Sequence, residues 1–149
     1  SHACAHTYPD FRSKGRICTF RLDIELSTCG EIGPLNALNY LLHSFYSDVV
    51  VIDYKVRGFT RNACDDRIFI DHKISSIRDY IEDEILTDYS CVDIGIESEN
   101  IWQTKMLRTN IEENEYFPTE VDVRDPQVQK YLELVEREMK GIVHMWEPR

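Results

Sequence analysis

The chain has 149 residues, 42% of them apolar, which is about one domain in length and enough to bury a sizeable core. A formal charge of −10 disfavours nucleic acid as a partner, because a polyphosphate backbone needs clustered cations to displace its counterions. No apolar run approaches the roughly 18 residues needed to span a bilayer, and the first residues lack the charged and apolar regions of a signal peptide. These features predict a cytoplasmic protein with no membrane partner, in a single domain over residues 1–149 without internal repeats.

Five cysteines, Cys4, Cys18, Cys29, Cys64 and Cys91, make an odd number without a CxxC pair. That pattern argues against a disulfide framework and a thiolate zinc site, and predicts reduced thiols. Residues 2–8 are expected to form a short strand with His2, Cys4, His6 and Tyr8 on one face, ended by Pro9. After a polar loop, Cys18, Phe20, Leu22, Ile24 and Leu26 alternate with Arg21, Asp23 and Glu25, as in a strand with one core face and one polar face. Antiparallel sheets commonly show this alternation, whereas parallel strands covered on both sides are apolar throughout.

Gly33-Pro34 opens a helix, with proline where its missing N–H does no harm, and Leu35, Leu38, Leu41, Leu42 and Phe45 form its apolar stripe. Asp48 closes the turn into a buried strand from Val49 to Val56. A weaker strand at 67–70 is followed by a predicted helix over 74–86, with Ile77, Tyr80, Ile81 and Ile85 inward, and by a strand carrying Val92, Ile94 and Ile96. Residues 109–124 have no period and predict a loop. Asp125-Pro126 caps a last helix in which Val128, Tyr131, Leu132, Val135, Met139, Ile142 and Val143 keep helical spacing. The order predicts an α+β fold, a two-layer sandwich of mostly antiparallel sheet with helices on one face.

Three constellations have the residue types for chemistry. The row His2, Cys4, His6 offers metal-ligating types, but alternate strand residues stand roughly 6 to 7 Å apart, whereas zinc needs ligands converging at about 2.0 to 2.3 Å. A polar row lining a cleft is the simpler reading, with no metal. Cys29 and His6 have the types of a thiol nucleophile and its base, although the helix start that lowers a catalytic thiol's pKa is expected only at Pro34. The third constellation begins at Ser1, which no Met precedes. Either the start is arbitrary, or the chain was cut immediately before a residue whose hydroxyl can attack its own preceding peptide bond. That attack gives an ester, and β-elimination resolves it into a dehydroalanine and then a terminal pyruvoyl group. Such a ketone forms a Schiff base with an amine substrate and draws electrons from a departing carboxylate. Elimination needs a base near the α-hydrogen and decarboxylation needs an acid to protonate the carbanion. His6 and Cys29 are able to supply those two roles.

The segments Ser-His-x-x-x-His-Thr-Tyr-Pro at 1–9, Cys-Thr-Phe-Arg-x-Asp-Ile-Glu-x-Ser-Thr-Cys-Gly at 18–30 and Pro-Leu-Asn-Ala-Leu-Asn-Tyr-Leu at 34–41 resemble the α chain of bacterial S-adenosylmethionine decarboxylases. The resemblance continues through residues 53–61, 69–72 and 99–106, and is to the longer, enterobacterial-type branch. It implies a proenzyme that cuts itself before Ser1, a pyruvoyl cofactor made from Ser1, His6 as the processing base and Cys29 as the catalytic proton donor. It also implies a separate β chain from the same proenzyme, and pairing of αβ protomers into a homo-oligomer with a four-layer α/β/β/α core. The implied reaction is decarboxylation of the small molecule S-adenosyl-L-methionine for spermidine biosynthesis.

One position departs from the resemblance. The family has Glu after His-Thr-Tyr-Pro, and this chain has Asp10, a candidate for holding the substrate's ribose hydroxyls. One methylene fewer moves that carboxylate by more than an ångström. Relatives that decarboxylate L-ornithine or L-arginine use the same Ser, His and Cys, so a basic amino acid is the alternative substrate. A catalytically inactive regulatory homologue is the remaining alternative, against which the intact Ser1, His6 and Cys29 speak.

Overall fold

The computed structural model describes residues 2–12, 17–28, 33–57, 60–61, 63–64, 67–68, 74–111, 116–117 and 121–143. In chain order the elements are β1 (His2–Arg12), β2 (Ile17–Ser27), a 3-10 turn (Pro34–Ala37) running into α1 (Leu38–Phe45), and β3 (Val49–Lys55). Then come β4 (Thr60–Arg61), β5 (Arg67–Ile68), a 3-10 turn (Ile77–Tyr80), α2 (Asp83–Leu86), β6 (Tyr89–Ile96), β7 (Ile101–Arg108) and α3 (Pro126–Val143). Antiparallel strands with a few helices are the α+β composition expected. Two compact units result, residues 27–109 and residues 2–26 with 110–149.

The first unit is built on β7, which pairs antiparallel with β3 on one side and β6 on the other. The sequence pattern assigns no element to 101–108, yet this is the central strand. Trp102, Thr104, Lys105, Met106, Leu107 and Arg108 are all buried, so the side chains of this one strand are shielded on both sides and the alternation that marks a half-exposed strand is lost. The register sets Val50, Met106 and Cys91 side by side, then Ile52, Thr104 and Asp93, then Tyr54, Trp102 and Gly95. Leu35, Leu38, Ile77, Ile81 and Ile85 join this face in one core, with Met106 fully buried and Ile77 1% exposed. Helical segments therefore cover one face of the sheet, as the sequence predicts.

The predicted helix over 74–86 is broken. Ser76 accepts from the Arg78 backbone N–H while Asp79 accepts from that of Ser76, a reciprocal cap that starts only a single 3-10 turn. Ile81 and Glu82 are extended, and the Glu82 N–H donates to the Asn39 side chain on α1 instead of continuing a helix. His43, one turn further along α1, contacts the Glu82 carboxylate at 2.9 Å. Ile77, Ile81 and Ile85 still face the core, but Tyr80 is 38% exposed.

Arg108 fastens the end of β7 to the turn between α1 and β3. It is 4% exposed, donates to Asp48 Oδ1 and to the Tyr46 carbonyl at 3.2 and 3.0 Å, and lies 3.5 Å from the Tyr46 ring centroid. Tyr46 caps α1 at φ 41°, a left-handed conformation that costs a non-glycine residue about 1 kcal/mol or more. The contacts from Arg108 hold it there.

In the second unit, β1 and β2 form a two-stranded sheet. β1 does not end at Pro9 as the sequence suggests, because an edge strand has a side on which a missing N–H leaves no partner wanting. Asp125 caps α3 by accepting from the Gln127 N–H at 2.8 Å, as expected. Val128, Leu132, Val135, Met139 and Val143 are buried, while Ile142, assigned to the same stripe from spacing, is 45% exposed. The expected strand at 67–70 is present at Arg67–Ile68, paired with Thr60–Arg61, and residues 69–70 lie outside the described residues.

Asp93, facing the core side of the sheet, accepts from Ser76 Oγ, Arg78 Nε and Thr104 Oγ1 at 2.7 to 2.8 Å. Burial alone would raise its carboxyl pKa, but these three donors outweigh it and hold the group below its ordinary value of 3.8. A depressed carboxyl contributes stability above its unfolded pKa and loses it as pH falls through the folded one. Asp93→Asn should therefore lower the urea midpoint at pH 7, and the gap from the unsubstituted protein should narrow when both are unfolded below pH ~4.

Candidate functional site

Cross-strand contacts fix the sense of the β1–β2 pair. His2 Nε2 lies 3.8 Å from Glu25 Oε1, and the Arg21 guanidinium stands 5.2 Å from the Tyr8 ring centroid. As β1 advances its neighbour on β2 recedes, so the pair is an antiparallel hairpin. Side chains alternate along each strand. The two contacts therefore put His2, Cys4, His6, Tyr8 and Asp10 on one face with Arg21, Asp23 and Glu25. The two polar rows expected separately from sequence form a single polar surface. Phe11, Phe20, Leu22, Ile24 and Leu26 occupy the other face, with Phe20 64% exposed.

At the centre of the polar face Arg21 grips Asp23 with two prongs, Nε to Oδ1 at 2.8 Å and Nη2 to Oδ2 at 2.6 Å. The hydrogen bond from Arg21 is the largest influence on the Asp23 carboxyl and holds its pKa below the ordinary value, with His6 adding a smaller effect of the same sign. Asp23 in turn raises the pKa of the guanidinium. Sequence reasoning names His6 but not this pair. The signal was present as opposite charges two residues apart on one strand face, a spacing at which side chains are neighbours.

His6 and Asp10 are exposed. Ser1 and Cys29, the other expected site residues, lie outside the described residues. Among the described residues no three His, Cys, Asp or Glu side chains converge on a possible metal position, and the row of His2, Cys4 and His6 does not do so. Cys4 and Cys91 are unbridged thiols. Cys91 lies on the core face, where burial pushes its thiol pKa up, the opposite of what a reactive thiolate needs.

A cavity of about 30 Å³ lies between Ser76, Asp93, Gly95, Trp102 and Thr104. That is the room one water needs, far below the several hundred Å³ of a small-molecule pocket. No described helix is long and apolar enough to cross a membrane.

Over 146 residues, 97% of the chain, it is 44% identical to a protein named S-adenosylmethionine decarboxylase proenzyme from Photorhabdus laumondii subsp. laumondii. Over the same length it is 46% identical to the protein of that name from Escherichia coli O139:H28. The match covers 55% of each relative. A Clostridium botulinum protein of the same name is 53% identical over 117 residues, 78% of this chain and 43% of the relative. The chain thus spans about half the length of the curated relatives it matches. No family profile and no solved structure matches it.

If Arg21 sets the charge of Asp23, removing it must release the carboxyl. NMR titration should find Asp23 below 3.8 in the unsubstituted chain and moved upward in Arg21→Gln. An unchanged titration would show that the fork does not govern the carboxylate.

Proposed function

We propose that this chain, related over nearly all its length to S-adenosylmethionine decarboxylase proenzymes, is the α chain of such an enzyme and decarboxylates S-adenosyl-L-methionine in polyamine biosynthesis. The observation that carries this reading is 44 to 46% identity over 97% of the chain to proteins bearing that name. Ser1 attacks the carbonyl of the residue before it, the peptide C–N bond breaks, and an ester remains. His6 then removes the α-hydrogen of residue 1 and the preceding segment leaves as a carboxylate, giving dehydroalanine. Its enamine tautomerises and water displaces ammonia, leaving the ketone of a pyruvoyl group. That group supplies the electron sink for loss of carbon dioxide from an amine substrate. Cys29 delivers the proton that replaces the carboxylate.

The hairpin fits this reading at one end. Antiparallel pairing brings the first residue of β1, His2, to the end of the hairpin where β2 finishes at Ser27. The polar face with His6 and Asp10 is then available to the substrate, Asp10 being the residue for its ribose hydroxyls.

Neither His6 nor Asp10 lies at that end, Asp10 standing about 26 Å along β1 from His2, and their positions support an assembly of protomers. β1 is extended from His2 onward, so His6 stands about 13 Å along the strand from His2. An imidazole cannot reach residue 1 of its own strand over that span, and the base that serves one chain comes from a second protomer. The second face of the β3-β7-β6 sheet supports the same pairing. It carries Val51, Ile94 and Ile96 at 43, 36 and 51% exposed beside exposed Asp53 and Lys55, a partly apolar surface that can pack in the middle of a four-layer α/β/β/α assembly. The β chain of the proenzyme completes each protomer.

Mass measurement of the mature chain should show residue 1 lighter than serine, as the pyruvoyl requires; an intact serine would sink the proposal. Carbon dioxide release should occur with S-adenosyl-L-methionine, whereas release from L-ornithine or L-arginine alone would favour the reading drawn from Asp10. Cys29→Ala should be processed yet lose productive turnover. For the shared site, co-expressed Ser1→Ala and His6→Ala proenzymes should yield cleavage of the His6→Ala chain, which alone stays uncut. Failure to cut it in the mixed assembly would place the base elsewhere.

A further inference from the structure

His6 is the base in the proposed processing step, and its neighbours across the hairpin have no role in that account. The two cross-strand contacts, His2 with Glu25 and Tyr8 with Arg21, bracket it. If Tyr8 and Arg21 face each other directly, so do His6 and Asp23. If His2 and Glu25 do instead, Asp23 is one diagonal step from His6, about 7 to 8 Å between Cα atoms. In either register Asp23 is a cross-strand neighbour of His6 on the same face, and His6 is among the groups that lower the Asp23 carboxyl's pKa. The carboxylate is also fixed in place. Arg21 holds both oxygens at 2.8 and 2.6 Å, and Arg21 is itself set against the Tyr8 ring at 5.2 Å. Each carboxylate oxygen has two acceptor sites, so the fork leaves capacity for a further N–H donor.

From this geometry we infer that Asp23 is a positioning residue for His6 in self-cleavage, with Arg21 and Tyr8 fixing where its carboxylate stands. Resting on the proposed function, the inference assigns each proton. His6 takes the α-hydrogen of residue 1 as the ester's carboxylate departs, and becomes an imidazolium. Asp23 accepts a hydrogen bond from that ring, orients it and balances its new charge. Asp23 gains and loses no proton, the role a carboxylate behind a histidine base has elsewhere. Arg21 keeps the carboxylate ionised and stops it from turning away.

The test uses the full-length proenzyme, with conversion to two chains followed by gel and by mass. Asp23→Asn should slow conversion by about tenfold or more, and Asp23→Glu, which keeps the carboxylate, should restore most of the rate. Hydroxylamine separates the steps, because it attacks the ester carbonyl. The preceding segment leaves as a hydroxamate and an α chain with unaltered serine is released. Both Asp23→Asn and His6→Ala should be cut this way. Wild-type conversion of Asp23→Asn overturns the inference. Slow conversion that hydroxylamine does not hasten also overturns it, since the fault then lies before the ester. If His6→Ala converts normally, the processing base falls and this inference with it. If His6→Ala is hydroxylamine-sensitive and Asp23→Asn is not, the inference alone falls.

Discussion

Two strands joined through residues 13–16 must pair antiparallel, since a parallel return needs a crossover of a dozen residues or more. That geometric limit orders the polar half of the hairpin. His2 reaches Glu25 and Tyr8 reaches Arg21, so the residues between them share one face and choose among only a few cross-strand neighbours. A slip of one residue would turn the whole polar row to the apolar side. The placement of His6 is therefore a property of the hairpin, set by contacts on either side of it.

The other unit follows a different logic. β7 has a strand on each side, with buried side chains on both faces, and Thr104 and Arg108 tie it to neighbouring elements, while Trp102 Nε1 is buried without a hydrogen-bond partner among the described residues. Thr104 donates to Asp93, which also gathers Ser76 and Arg78, while Arg108 reaches back to Asp48 and Tyr46. These bonds cross long stretches of sequence and replace the continuous helix that periodicity suggests at 74–86. A rigid frame results without a long helix in that unit.

What was legible in the sequence was whatever has one wet side. Residues 18–26, the stripe of α1 and the cap at Asp125 could each be read from local spacing, because exposure on one face leaves a period. β7 left none, its Gln103, Thr104 and Lys105 interrupting an apolar run that is nonetheless mostly buried. The helix over 74–86 failed because Asn39, more than forty residues away, captures the Glu82 N–H. Pro9 reads as a stop because the sequence does not say which strand lies at an edge. For the site, His6 and the polar rows were visible but their meeting was not, since cross-strand partnership is not a local property. Ser1 and Cys29 lie outside the described residues, and their roles rest on resemblance and on the chemistry of those residue types.

The apolar side chains exposed on the second face of the sheet have a colloidal consequence. Val51, Ile94 and Ile96 attract their like, while a formal charge of −10 on each chain keeps copies apart. The attraction acts at contact and is indifferent to salt, whereas the repulsion reaches only about 8 Å at physiological ionic strength. Ionic strength therefore governs how often bare chains meet, and hydrophobic area governs whether they stay together. Covering that face early in the life of the chain separates assembly from precipitation.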